Sequence, residues 1–434
     1  MDVFQITGPV RLDGELTVNG SKNAALPIMA ATLLAEGSSE LVGIPDLSDI
    51  AVFGQLLGQL GCLLTRPDKN RMVIDATRIE QPFGDYEIVR KMRASVCILG
   101  PLLARCRRVE VSMPGGCAIG DRPVDIHLRG LRALGAQIHL RGGYIVAEAP
   151  KGLTGAEVFL GGPFGSTVLG TANVMMAATL AKGRTVIESA ACEPEVADLA
   201  RCLKKMGAQI SGIGSPHLVI EGVDHLRPVR YTVIPDRIEA GTFMVAAAVT
   251  RGRVTLRNGR LADLMAVADK LREVGAAVDA HAHGCTVAME GPIRPADITT
   301  LPYPGFPTDL QAQFMVLLAL AEGNSLIIEK VFPDRFMHVA ELNRMAANLR
   351  KEGSAVLVAG VRQLIAAQVM ASDLRASAAL VLAGLAAEGV TTVNRVYHID
   401  RGYERIEEKL NSMGAKIVRE KSQTKTVLKE GETT

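Results

Sequence analysis

The sequence predicts an α/β chain built as two domains, each a threefold repeat of about 70 residues with helices buried inside sheets. Three observations carry that prediction. The first is a helix tail that ends in Gly, followed by a small residue and an extended apolar pair. It recurs as LGCLL (60–64), LGAQI (134–138), MGAQI (206–210), VGAAV (274–278), EGSAV (352–356) and MGAKI (413–417). The second is interleaved with the first: an Ala/Leu-rich helix, a stop at 37, 106, 183, 252, 323 or 389, then β-branched residues suited to a strand. Five stops are Gly, which closes a helix in the left-handed conformation at little cost; Cys106 breaks the pattern, so that cap must differ. The third is the helices themselves. Segments 24–35, 170–181 and 373–387 are apolar nearly all round, as helices enclosed by other elements are. Six units exceed one core, so they divide three and three, at about 22–232 and 233–420. The polar stretch 421–434 reads as a frayed tail.

Composition narrows the function. The chain has 434 residues, 48% hydrophobic and 22% charged, with a formal net charge of +2. That balance argues against nucleic acid or a membrane surface as partner. The N-terminal MDVFQITGPVRLDG lacks the basic and apolar regions of a signal peptide. No apolar run reaches the ~18 residues of a membrane span. Seven dispersed cysteines (62, 97, 106, 117, 192, 202, 285) without a CxxC pair fit free thiols in a reducing cytoplasm.

Several short stretches carry chemistry. GSKNAALP runs from a Gly turn into a helix, so Lys22 stands where backbone N–H groups and the helix dipole favour an anion. It is not a P-loop, because Ser precedes the Lys. PGGCAIGDRP (114–123) places Cys117 among Gly115, Gly116 and Gly120, a loop that loses much entropy when ordered. Arg122 ends the same loop, Arg93, Arg335 and Arg401 punctuate three other motifs, and Arg offers a planar fork to carboxylate and phosphate. Asp309 in YPGFPTDLQAQF occupies an N-cap-like position. From the residues alone, each Arg could equally be a surface ion pair and Asp309 a helix cap. His281 and His283 (HAHG) lack a third ligand and read as a polar strand edge, so no metal is expected.

GSKNAALP, MRAS, PGGCAIGDRPVDIH, IPDRIEAGTF, YPGFPTDLQAQF, DRFMHV and HIDRGYERI occur in order between about residues 3 and 419. With the two three-unit domains, they resemble the enolpyruvyl transferase family. The resemblance implies two inside-out α/β domains with the active site in the cleft between them. It also implies that segment 1–21 returns to the second domain, with crossings near 20–22 and 230–234 acting as the hinge. Implied substrates are phosphoenolpyruvate and UDP-N-acetylglucosamine, with no cofactor and no required oligomer. By match, Lys22, Asn23, Arg122, Arg335 and Arg401 bind phosphoenolpyruvate. Asn23, Arg93, Arg122, Pro123, Val124, Asp125, Ile126, Thr167, Val168, Asp309 and Val331 face the sugar nucleotide. Cys117 is the implied general acid and Asp309 the proton acceptor for the sugar 3'-hydroxyl, with Lys22 and Arg401 also catalytic. Asp236, Arg237 and Glu239 are expected to be hinge or interface residues.

This chain departs from the family pattern at 161–173, where Gly165, Ser166, Thr167 and Val168 include no basic residue. Ala172 and Ala340 stand where many relatives carry Glu and Pro. Those departures keep open another hydroxyl acceptor or a non-catalytic sugar-nucleotide-binding paralogue.

Overall fold

Strand alternation and helix burial together set the layering. In strand Arg184–Glu188, Thr185 and Ile187 point inward and are buried while Arg184 and Glu188 face solvent. Helix Val168–Ala178 has no polar face, and nine of its residues are buried. One-sided strands must lie outside and all-apolar helices inside. The computed structural model describes residues 2–114 and 124–421. Cys117, Arg122 and Pro123, and the tail from 422, lie outside the described residues.

Six four-stranded sheets share one topology, and a two-stranded ribbon, Gly161–Gly162 with Gly165–Ser166, accompanies them. In each sheet a parallel pair is followed by two antiparallel pairings. In one, Ile298–Thr300 runs parallel to Asn324–Glu329, which pairs antiparallel with Ala355–Ala359, and that with Asn348–Glu352. Two sheets borrow strands across the chain. Arg230–Thr232 completes the sheet of Ser38–Val42, and Asp13–Thr17 completes that of Arg253–Arg257. The N-terminal strand Asp2–Gly8 pairs with Gly389–Asn394 and Ile417–Lys421, joining the first residues to the last unit.

Buried apolar residues form two clusters. One draws on residues from Ala24 to Ile234, the other on Phe4 to Val18 and Ile238 to Ile417. Helices Lys22–Ala31, Leu99–Cys106 and Val168–Ala178 fill the first; Arg237–Val249, Gln311–Leu318 and Leu374–Ala386 fill the second. The two chain crossings between clusters run side by side. Ser21 N donates to Ile234 O at 2.7 Å and Asp236 N to Asn19 O at 2.8 Å. Gly20 is obligatory there, since a Cβ would lie 1.7 Å from the Gly43 carbonyl oxygen.

The caps agree with the repeat except in detail. Arg107 takes the left-handed conformation (φ 60°) that Cys106 was expected to disturb. The fifth copy of the first signature is displaced. Gly353 lies in the turn between strands Asn348–Glu352 and Ala355–Ala359, not at a helix end. The helix end is at Met345, and Ala346 adopts φ 65° in the place glycine holds elsewhere. MAANL is therefore the true fifth copy, hidden because Ala replaces Gly.

Candidate active site

Lys22 opens helix Lys22–Ala31, with Ser21 as its cap. Two first-turn amides are already occupied: Lys22 N donates to Asp236 Oδ2 and Ala24 N to Ser21 Oγ. The side chain, more than these amides, is what the helix start offers an anion. Lys22 Nζ lies 3.1 Å from Asp49 Oδ2, and Arg401 Nε lies 2.9 Å from Asp49 Oδ1. Asp49 sits in the first turn of helix Ser48–Gln59, in the first cluster, whereas Arg401 closes a 3-10 turn in the second. One carboxylate thus joins cations from both halves.

Asp309 forms the second node. Arg335 Nη1 donates to its Oδ1 at 2.7 Å and Arg375 Nε to its Oδ2 at 3.2 Å. The backbone is fixed too, since Gln313 Nε2 donates to the Asp309 carbonyl at 3.1 Å. Asp309 is not the helix cap its position suggested: it lies inside the 3-10 turn Thr308–Leu310, after Pro307, and its carboxylate is spent on guanidinium groups. Arg375 is buried against the Tyr403 ring at 5.3 Å, and its Nη1 has no hydrogen-bond partner among the described residues. An unpartnered buried guanidinium nitrogen is costly, and an anion in the cleft would satisfy it.

Electrostatics favour the same anion. Burial lowers the Lys22 pKa; Asp49 opposes that shift, and Arg375 and Arg401 add to it. Burial alone would raise Asp49, but Lys22 and Arg401 outweigh it and hold the carboxylate below its usual range. Both directions describe one fact: Asp49 is ionised and shared between two cations, and Lys22 is left short of countercharge. Four cations, Lys22, Arg335, Arg375 and Arg401, pair with two carboxylates, and a third carboxylate, Asp236, acts on Arg375. Phosphate and carboxylate groups on one small molecule match that excess.

Of the residues expected around a nucleotide, Val124, Asp125, Ile126, Thr167 and Val168 lie where two helices of the first half pack, and form one wall. Val124 precedes helix Asp125–Ala133, whose start carries Asp125 and Ile126. Ile126 packs on the ribbon at Gly162, and Arg129 Nη2 donates to Gly161 O at 2.8 Å. Thr167 caps helix Val168–Ala178 through a 3.2 Å bond from Gly170 N, with Val168 the first helical residue. Gly165 (φ 99°) meets Pro302 of the second half, so a side chain at 165 would collide there. Asn23 is half-buried beside Lys22. Arg93 opens the 3-10 turn Arg93–Ile98 near the buried His127, whose pKa burial and Arg93 push down to about 3. Val331 stands apart from that wall, on the Asp309 side, with its N–H donating to Glu329.

Sequence reading missed Asp49 and Arg375. Asp49 belongs to none of the motifs that carry chemistry in the sequence. Arg375 did leave a signal, an arginine inside an otherwise apolar helix, where a charge survives only if paired. Two of the three expected hinge residues span the halves, whereas Glu239 stays within the second, accepting from Asn19 N and Lys409 Nζ. Arg237 Nε lies 3.0 Å from Glu195 Oε1, Tyr303 N donates to Glu193, and Asp236 caps helix Arg237–Val249 while holding Lys22 N. His281 Nε2 is 2.8 Å from Thr286 Oγ1 on the neighbouring strand.

The EPSP synthase (3-phosphoshikimate 1-carboxyvinyltransferase) family model matches residues 6–410. A UDP-N-acetylglucosamine 1-carboxyvinyltransferase from Methylacidiphilum infernorum is 52% identical over 419 residues, covering 96% of this chain and 99% of that one. The protein of the same name from Coxiella burnetii is 52% identical over 420 residues, covering 96% of each. Among solved structures, the enolpyruvyl transferase NikO from Streptomyces tendae superposes with a TM-score of 0.86 at 25% identity, covering 96% of this chain and 98% of that one. An EPSP synthase from Acinetobacter baumannii shares the fold, with a TM-score of 0.75 at 19% identity over 97% of this chain and all of that one.

Proposed function

The chain belongs to the EPSP synthase family of enolpyruvyl transferases, and on that premise we propose how its residues divide the reaction. The enzyme transfers the enolpyruvyl group of phosphoenolpyruvate to the 3'-hydroxyl of UDP-N-acetylglucosamine and releases phosphate, an entry step to peptidoglycan precursors. The observation that carries the assignment of roles is the cation excess around Asp49 and Asp309.

Lys22 and Arg401, with Arg122, take the phosphate. Arg335 and Arg375 take the carboxylate, whose planar oxygens suit the guanidinium fork. Asp309 receives the proton of the 3'-hydroxyl as that oxygen attacks C2, and Cys117 gives a proton to C3. The resulting tetrahedral adduct loses the C3 proton and expels phosphate, restoring the double bond. Asp309 is side-chain-exposed to 26%, enough to meet a substrate hydroxyl, whereas Asp49 at 6% is sealed behind its cations. The wall of Val124, Asp125, Ile126, Thr167 and Val168, with Asn23, Arg93 and Pro123, receives the nucleotide, and Val331 packs on the base.

The two halves act as jaws around their separate cores. With the halves together, Asp49 holds Lys22 and Arg401 side by side near the Asp309 group, which orients the reactants and excludes water. Among the described residues no helix is long and apolar enough to cross a membrane; a nucleotide-sugar substrate supports a cytoplasmic reading. The test is acceptor-dependent phosphate release. Mixed with both substrates, the protein yields phosphate and enolpyruvyl sugar nucleotide in equal amounts. Phosphate release without product, or no release, contradicts the assignment.

A further inference from the structure

Glu329 ends strand Asn324–Glu329 and is wholly buried. Its four donors among the described residues are uncharged. Oε1 accepts from Thr300 Oγ1 at 2.5 Å, Val331 N at 2.8 Å and Phe332 N at 2.9 Å. Oε2 accepts from Thr308 Oγ1 at 2.8 Å. A carboxylate buried without a cation is an expensive way to staple a turn, and an apolar contact would serve as well.

The two oxygens face different tasks. Oε1 fixes the turn at Val331 and Phe332. Oε2 fixes the hydroxyl of Thr308, which neighbours Asp309. Because Thr308 donates to Glu329, its oxygen lone pair is left to accept from Arg335 Nη1 at 3.1 Å, and that same Nη1 donates to Asp309 Oδ1 at 2.7 Å. Only an acceptor at 329 sets the hydroxyl this way. A hydroxyl turned toward the guanidinium would oppose it donor to donor.

We propose that Glu329 is a positioning residue for the transfer: through Thr308 it sets Arg335 and hence the carboxylate of Asp309, while its other oxygen holds the turn that seats the nucleotide base. The inference rests on Asp309 as proton acceptor and extends it to a residue that touches no substrate. Hydrogen-bonded side-chain networks of this kind are worth more than their pairs, and only paired substitutions apportion them.

The experiment is a set of five variants, Glu329→Gln alone among them, assayed for kcat and for KM of the sugar nucleotide. Thr308→Val, which cuts only the Oε2 arm, lowers kcat by ~10–100-fold and leaves KM near wild type, the size expected when a reacting group shifts by about an ångström. Thr308→Ser restores kcat because it restores the hydroxyl. Thr300→Val weakens the cage without touching the Asp309 arm and keeps kcat within about threefold. Glu329→Gln combined with Thr308→Val is no worse than the poorer single variant, as for members of one chain. Normal kcat in folded Thr308→Val, failure of Thr308→Ser to restore it, or multiplying effects in the double variant would each overturn the proposal. Asp309→Asn is measured alongside. If it turns over normally, the base assignment fails and the positioning role falls with it; if it is inactive while Thr308→Val is normal, only the positioning role fails.

Discussion

Asp49 and Asp309 are each gripped by two cations, yet their surroundings assign them opposite work. Asp49 lies in the first half and receives Lys22 from its own side and Arg401 from the other. Asp309 lies in the second half and receives Arg335 and Arg375, both from the same side. Asp49 is nearly sealed; Asp309 opens toward the cleft. The first carboxylate therefore couples the halves and holds cations in place, while the second is set within a rigid wall, ready for a substrate proton. Residue type does not separate them. The origin of their partners and their exposure do.

That contrast breaks most severely at Arg375. Arg375→Met removes the buried partner of Asp309 and the unpartnered Nη1 together. Phosphoenolpyruvate affinity falls by ~10–100-fold, the value of a charge-assisted hydrogen bond. Folding stability falls by about 3 kcal/mol, as when one member of a buried pair is lost. Binding calorimetry and denaturant titration measure the two losses, and unchanged affinity would remove Arg375 from the carboxylate site.

Asp49 sharpens the contrast through pH. Its folded-state pKa lies below the unfolded one, so its contribution is complete above about pH 4 and is lost as pH falls through the depressed value. Thermal melts of wild type should steepen in that window, and Asp49→Asn should remove the extra slope while costing about 2 kcal/mol near neutrality. Saturating phosphoenolpyruvate returns part of that loss in the variant, because a bound anion replaces the missing charge. An unchanged acid limb would separate Asp49 from the cluster.

The smallest effect concerns the repeat. Ala346 holds φ 65° where the other units use glycine. Ala346→Gly should stabilise by about 1 kcal/mol, the cost of a left-handed L-residue relieved, measured as a rise in the denaturant midpoint with activity unchanged.

The same residue explains what was legible beforehand. Five glycine-capped helix ends and the all-apolar helices announced the sixfold repeat, because both follow from local sterics and burial. Ala346 hid the fifth end, and Gly353, a turn glycine, took its place. At the site, Lys22, Asp309, Arg335 and Arg401 stood in recognisable motifs. Asp49 and Arg375 did not: Asp49 lay in none of those motifs, and Arg375 in a segment already explained as a helix. Glu329 was illegible for a different reason: its meaning depends on Thr300, Thr308 and the turn at Val331, brought together only by the parallel pairing of Ile298–Thr300 with Asn324–Glu329.

The role of Asp309 is tested most directly by single-turnover phosphate release in Asp309→Asn set beside wild type, with both substrates saturating. If Asp309 accepts the 3'-hydroxyl proton, the rate falls by ~10²–10⁴-fold, the usual worth of a positioned base, while UDP-N-acetylglucosamine still binds. Release at the wild-type rate would contradict the division of labour between the two carboxylates.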